Sequence, residues 1–141
     1  MEKTRKALLT LMIAAGMILS ACTTRSQSTD LQGSSWKLVS YGSIQDQIAA
    51  AAGVDTHLDF GMDGRVTGNM GCNSFSGKYE VKNGRIIISQ VISTMMACPG
   101  PRMDQETVTL QVLRDSAGFQ VENDRLLIRS GDGTRSITLS R

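Results

Sequence analysis

Short runs of alternating apolar and polar residues, separated by turn dipeptides, dominate the chain after residue 31. Such alternation marks half-buried strands. Ser35 to Tyr41 (SWKLVSY) sets Trp36 and Leu38 on one face with Ser40 in line, leaving Val39 and Tyr41 for the other. His57 to Phe60 and Arg65 to Thr67 flank Met62-Asp63-Gly64, while Lys78 to Val81 and Arg85 to Ser89 flank Asn83-Gly84, the strongest hairpin dipeptide in the chain. Phe119 to Glu122 and Arg125 to Arg129 flank Asn123-Asp124, and Gly131-Asp132-Gly133 turns the chain into Ser136 to Ser140. The pattern predicts about seven or eight strands, and connections this short force antiparallel pairing.

One segment departs from alternation. Met103, Thr107, Leu110, Leu113 or Arg114, and Ala117 recur at helical spacing, with Pro99 and Pro101 before them and Gly118 placed as a left-handed C-cap. Asp104 and Glu106 fall in the first turn, where carboxylates suit the helix dipole. The spacing predicts a helix over about 103–116, and Gln45 to Ala52 (QDQIAAAA) predicts a short helical turn ended by Gly53. The fold class expected is α+β, mostly β: a strongly curved antiparallel sheet or half-open barrel, with the helix plugging one end or lying on one face. The aromatic residues number only six, so the expected core rests on Val, Ile, Leu and Met. Met70, Met95, Met96 and Met103 are expected as gap-fillers near the cysteines, a soft-metal cluster of the copper type being the alternative.

The N-terminus changes the setting in which this domain works. Three basic residues within EKTRK precede Ala7 to Ala21, an apolar run of 15 residues broken by Thr10, Gly16 and Ser20. A membrane span needs about 20 apolar residues, so residues 1–21 read as an export signal. The run ends in Leu19-Ser20-Ala21-Cys22, which resembles the bacterial lipobox: small residues fit a narrow peptidase groove, and the Cys22 thiol takes up the diacylglycerol. Several acyl chains at about 0.8 kcal/mol per buried methylene would make that anchoring stable. Thr23 in place of Asp after Cys22 resembles the default pattern for sorting to the outer membrane, whose periplasmic face is the expected location. Residues 22–30 form the lipidated cysteine and a tether without apolar residues, and 31–141 form one domain.

Removing the leader also removes the mild basicity. The full chain carries 15 basic and 13 acidic residues, and without residues 1–21 it carries 12 of each. No basic stripe remains to neutralise phosphates, which disfavours nucleic acid as a partner. With Cys22 lipidated, Cys72 and Cys98 are left as one pair in an oxidising space, where a disulfide is the expected outcome. Redox-active pairs are more often spaced C-x-x-C, and a metal site needs more ligands than two cysteines and His57.

Candidate chemistry is sparse. His57 lies in a strand at a spacing that puts Asp55 and Asp59 on its face, a base-and-orienter arrangement, yet no serine sits in a nucleophile-elbow pattern; a solvated strand-end histidine is the plainer reading. Gly68, Gly71 and Gly77 lack the G-K-[ST] ending of a phosphate loop. No cofactor is expected. Within TGNMGCNSFSGKY, the glycines permit tight backbone at an irregular turn, Asn69 and Asn73 can bond its unpaired groups, and Phe75 and Tyr79 return to the core.

The run Gly68-Asn69-Met70-Gly71-Cys72-Asn73-Ser74-Phe75-Ser76-Gly77-Lys78-Tyr79, followed by Thr94-Met95-Met96-Ala97-Cys98-Pro99, resembles the signature of the META domain, also called the HslJ-like family. The family pattern is close to G-N-x-G-C-N-x-F-x-G-x-Y, then T-x-M-A-C, then an acidic helix; Gly33 to Ser40 fits its first strand. The resemblance implies a small barrel-like fold with a packed helix, and cysteines paired as Cys72 with Cys98. It implies a non-enzymatic domain, since no catalytic activity is established for the family. Bacterial members are often envelope lipoproteins associated with heat or envelope stress and with antibiotic tolerance. A likeness in fold to pilotins suggests lipid or secretin binding as an alternative to a general binding or assembly module. The expected partners are the membrane, through acylated Cys22, and an envelope protein or lipid.

Overall fold

A computed structural model describes residues 31–114 and 116–141, so the leader, Cys22 and the tether lie outside the described residues. The elements are β1 (Ser34–Ser43), β2 (Gln47–Ala49), β3 (His57–Phe60), β4 (Arg65–Asn69), β5 (Ser74–Lys82), β6 (Arg85–Ser93), α1 (Pro101–Leu113), β7 (Ser116–Glu122), β8 (Arg125–Arg129) and β9 (Arg135–Ser140). The hairpin dipeptides act as their chemistry demands. Asn83 and Gly84 both take positive φ, 53° and 70°, the geometry of a type I′ turn whose twist matches the flanking strands.

All neighbouring strands pair antiparallel, and β1 closes the sheet by pairing with β9 from Lys37↔Ser140 to Ser43↔Arg135. The half-open barrel expected from the sequence is thus an eight-stranded closed one. Strand β1 pairs with β3 over Ser34–Trp36 and, further along the same edge, with β2 over Ser40–Gly42. The helical turn expected over Gln45 to Ala52 is instead β2. Alanine favours helix, but propensity is a weak prior that tertiary context overrides, and the edge that β3 leaves free on β1 offers backbone partners, including Ala50 N–H to Val39 O at 2.9 Å.

A register shift between Leu38 and Ser40 reverses the alternation of β1. Trp36 and Leu38 point inward before it and Tyr41 after it, while Ser40 turns out to bond Gln47 Oε1 at 3.1 Å. Buried Thr56 Oγ1 accepts the Leu38 N–H at 3.1 Å, satisfying a group near this irregularity. Although aromatics are few, all six are buried. Phe60 meets Tyr79 edge-on, centroids 4.9 Å apart, and the Tyr79 hydroxyl donates to Gly61 O at 2.9 Å. Around them Leu58, Val66, Ile86, Leu126, Ile128, Ile137 and Leu139 are fully buried, each worth about 1.5–3 kcal/mol.

Helix α1 starts two residues earlier than expected, with Pro101 in its first turn, and stops at Leu113 because Arg114 is extended. Gly118 is no C-cap: it lies within β7, opposite Arg85 and Arg129. The buried face is also rotated from the expected one. Thr107 is exposed, and Gln105, Glu106, Thr109, Val112 and Leu113 are buried. The helix touches β1, β6, β7, β8 and β9 and bonds the β4–β5 turn, the contact pattern of a helix laid across one barrel mouth.

Candidate functional site

The β4–β5 turn is where the signature residues meet. Asn69 Oδ1 accepts the Gly71 N–H at 2.9 Å, and Cys72 is joined to Cys98 by a disulfide with Cα atoms 5.9 Å apart. Asn73 reaches across to the segment after β6. Its Oδ1 accepts from Met96 N–H at 2.7 Å and Thr94 Oγ1 at 2.9 Å, and its Nδ2 donates to Met96 O at 3.3 Å. Ser74 and Thr94 exchange two further bonds, Thr94 N–H to Ser74 O at 3.0 Å and Ser74 N–H to Thr94 Oγ1 at 3.2 Å.

The turn is fixed from the other side by the polar face of α1. Glu106 Oε2 accepts the N–H groups of Cys72 and Asn73, and Oε1 accepts from Asn73 Nδ2 at 2.8 Å. Gln105 donates to Met70 O at 2.8 Å and accepts the Ala51 N–H at 2.7 Å. Gly71 and Gly68 are needed for room, since neither has positive φ. A Cβ on Gly71 would lie 2.2 Å from Arg102 O, and one on Gly68 would lie 2.8 Å from His57 O and from the Phe75 ring.

This scaffold holds an apolar strip at the barrel wall. Strand β5 pairs with β6 along its length, but β7 reaches only Arg85, Ile86 and Ile87. From Ile88 to Ser93, β6 therefore has a strand partner on one side alone among the described residues. The gap opens beside α1 as a groove of about 420 Å³, walled by Phe75, Ile87, Ile88 and Val91 on the sheet side and by Leu110, Leu113 and Arg114 on the helix side. Val91 in its wall, and Ile92, Met95 and Met96 after it in the chain, are 52%, 72%, 98% and 55% exposed. The structure thus corrects the expected methionine cluster: Met70 is buried, but Met95 and Met96 face solvent, and Met96 serves the fold through its backbone. Ala97 is likewise exposed.

A β-bulge shapes this wall. The β5–β6 register shifts between Ser76↔Ile92 and Lys78↔Ser89, and Gln90 takes φ 53°, a strained conformation for a residue bearing a side chain. Gly77 lies opposite, where a Cβ would come 2.9 Å from Ser89 O.

His57 Nε2 lies 4.0 Å from Asp59 Oδ2, both side chains well exposed, and Asp55 lies 4.0 Å from Lys37 instead. His57 is not among the residues walling the groove. Among the described residues no three His, Cys, Asp or Glu side chains cluster as metal ligands would. Among the described residues, two ionisable groups are perturbed. Burial, then the charge of Asp63, raises the Tyr79 pKa, and hydrogen bonds from Ser130 and from the Thr134 N–H and hydroxyl lower that of Asp132 to about 2.

Sequence reasoning missed Gln105 and Glu106 as the partners of the turn. Their spacing with Thr109, Val112 and Leu113 is helical, but polar residues on that face gave no apolar stripe to follow.

A solved NMR structure of a protein from Burkholderia xenovorans is similar to this chain, with TM-score 0.68 and 22% identity over 92% of this chain and 98% of that one. A crystal structure of a DUF4847 family protein from Bacteroides vulgatus is similar with TM-score 0.57 and 13% identity, covering 82% and 96%. At these identities the likeness is one of fold. No curated protein matches the chain. The META domain family profile matches residues 29–141, and the chain belongs to the META domain family.

Proposed function

We propose that this META-domain protein is a lipid-anchored, non-enzymatic module of the bacterial cell envelope that binds a partner at the seam between β6 and α1. The observation that carries the reading is the seam itself. Among the described residues, the barrel-strand stretch Ile88 to Ser93 has no second strand partner beside an apolar groove. Exposed edges and contiguous apolar surface are liabilities that soluble domains normally cover, so a pinned example supports a binding role. The disulfide and the Asn73 bonds hold the strip in place, which lowers the ordering cost of association.

Acylation of Cys22 would hold the domain at the periplasmic face of the outer membrane, on a tether of 8 residues that reaches at most about 26 Å. The link to envelope or heat stress and antibiotic tolerance rests on the family resemblance. A pilotin-like lipid- or secretin-binding role is the second reading, favoured by the apolar walls of the groove. An enzyme using His57 or the Cys72/Cys98 pair is less well supported: His57 stands apart from the groove, and Cys72 is buried.

A photo-crosslinking residue at Val91 of the full-length protein in cells tests the proposal, with the same residue at Ile48, on the exposed strand β2, as control. Discrete adducts from Val91 and none from Ile48 are expected. Equal yields, or none, would contradict it.

A further inference from the structure

We infer that the seam takes an extended peptide by antiparallel strand addition to β6, with the peptide's C-terminal carboxylate at Arg114. This rests on the binding role proposed above and specifies its partner.

The backbone decides between a peptide and a lipid tail. An antiparallel strand directs its N–H and C=O groups alternately to either side, so along Ile88 to Ser93 part of the ladder faces away from β5. An acyl chain can complement none of those groups. A polypeptide can complement those on either side of the bulge at Gln90, and at about 3.4 Å per residue this edge spans roughly 20 Å.

The side chains fix the pattern of the ligand. Ile88 and Val91 both wall the groove although they are three apart, because the bulge at Gln90 inserts one residue between them. Gly77 makes room for that bulge. Facing them, Leu110 and Leu113 of α1 complete an apolar slot. A bound strand would place alternate apolar residues in the slot and turn the others to solvent.

The direction follows from β7 and one charge. Strand β7 begins at Ser116, opposite Ile87. A peptide paired antiparallel with Ile88 to Ser93 lies in line with β7 and runs the same way, so its C-terminal end arrives where β7 begins. Arg114 precedes that point by two residues and is the one charged residue among the described residues walling the groove. A parallel peptide would bring its terminal ammonium there instead, against the guanidinium. Because β7 already occupies the place opposite Ile87, the ligand has to stop before it, which suits a free C-terminus.

The test uses the full-length protein in lipid nanodiscs, titrated with a fluorescent hexapeptide of alternating threonine and valine ending in a free carboxylate, beside its C-terminal amide. The carboxylate peptide is expected to bind about tenfold more tightly, and Arg114→Ala to abolish that preference. Val91→Arg, at an exposed position, is expected to abolish binding of both peptides with unchanged melting, and Ile48→Arg to leave binding intact. Equal binding of the two peptides by the wild type would overturn the inference, as would palmitate binding without peptide binding. Val91 crosslinks in cells without a carboxylate preference would sink this inference alone; loss of the crosslinks would sink the binding role itself.

Discussion

Glu106 Oε2 accepts the backbone N–H of Cys72 at 2.7 Å. The side chain is only 6% exposed and also takes two hydrogen bonds from Asn73. It therefore ties the helix to the signature turn. In Glu106→Gln one acceptor oxygen becomes an NH2 group, which must face a donor whichever way the amide is turned. Urea unfolding should show a loss of about 2–4 kcal/mol. Asp104→Asn, at an exposed site on the same helix, should stay within about 0.5 kcal/mol.

That contact also marks the limit of what the sequence conveyed. The strands were legible because alternation and turn chemistry are local: Arg125 to Arg129 is β8 residue for residue, and Asn83-Gly84 forms its turn as read. The Cys72–Cys98 pairing followed from there being one pair left to join. Three features were hidden because they depend on distant partners. Gln105 and Glu106 are buried by the turn they bond, Gln47 to Ala49 become strand because β1 has a free edge, and the seam exists because β7 begins opposite Ile87. Met95 and Met96 look like core residues in sequence and lie at the surface in the structure, where Asn73 Oδ1 holds the Met96 N–H and the disulfide pins Cys98 two residues on.

Removing the disulfide should weaken the domain without dissolving it. Cys72 and Cys98 are separated by 26 residues, for which loop closure in the unfolded chain is worth roughly 3–4 kcal/mol. The double variant Cys72→Ala with Cys98→Ala should lose about that much in urea unfolding, yet keep its far-ultraviolet circular dichroism at low temperature. Glu106 and Asn73 still hold the turn in that variant. Loss of the folded spectrum would show that these bonds cannot hold it.

Two glycine-to-alanine changes should behave oppositely. In Gly71→Ala the new methyl would lie 2.2 Å from Arg102 O and 3.0 Å from Glu106 Cβ, so the helix or the turn has to move, at a cost of about 2–3 kcal/mol. Gly118→Ala meets nothing within 4 Å in a strand without positive φ, and should be neutral or stabilising by about 0.5 kcal/mol. Thermal melts of the two variants side by side would check the contrast.

The Ser130–Arg135 loop should resist acid. Asp132 is held by Ser130 and Thr134, which lower its pKa from the ordinary 3.8 to about 2. A depressed carboxylate stabilises the folded loop above its unfolded pKa, and that contribution fades as pH falls from about 4 through about 2. Amide NMR of Thr134 should accordingly titrate near pH 2. A midpoint near 4 would mean that the Asp132 bonds do not form in solution.

The central claim is that the protein acts by binding at the β6 seam and not by chemistry at His57. It is tested most directly by complementing a deletion strain under envelope stress with matched amounts of Val91→Arg or His57→Ala. The account predicts that His57→Ala restores growth as the wild type does and that Val91→Arg, folded and anchored, does not. Rescue by Val91→Arg together with failure of His57→Ala would contradict it.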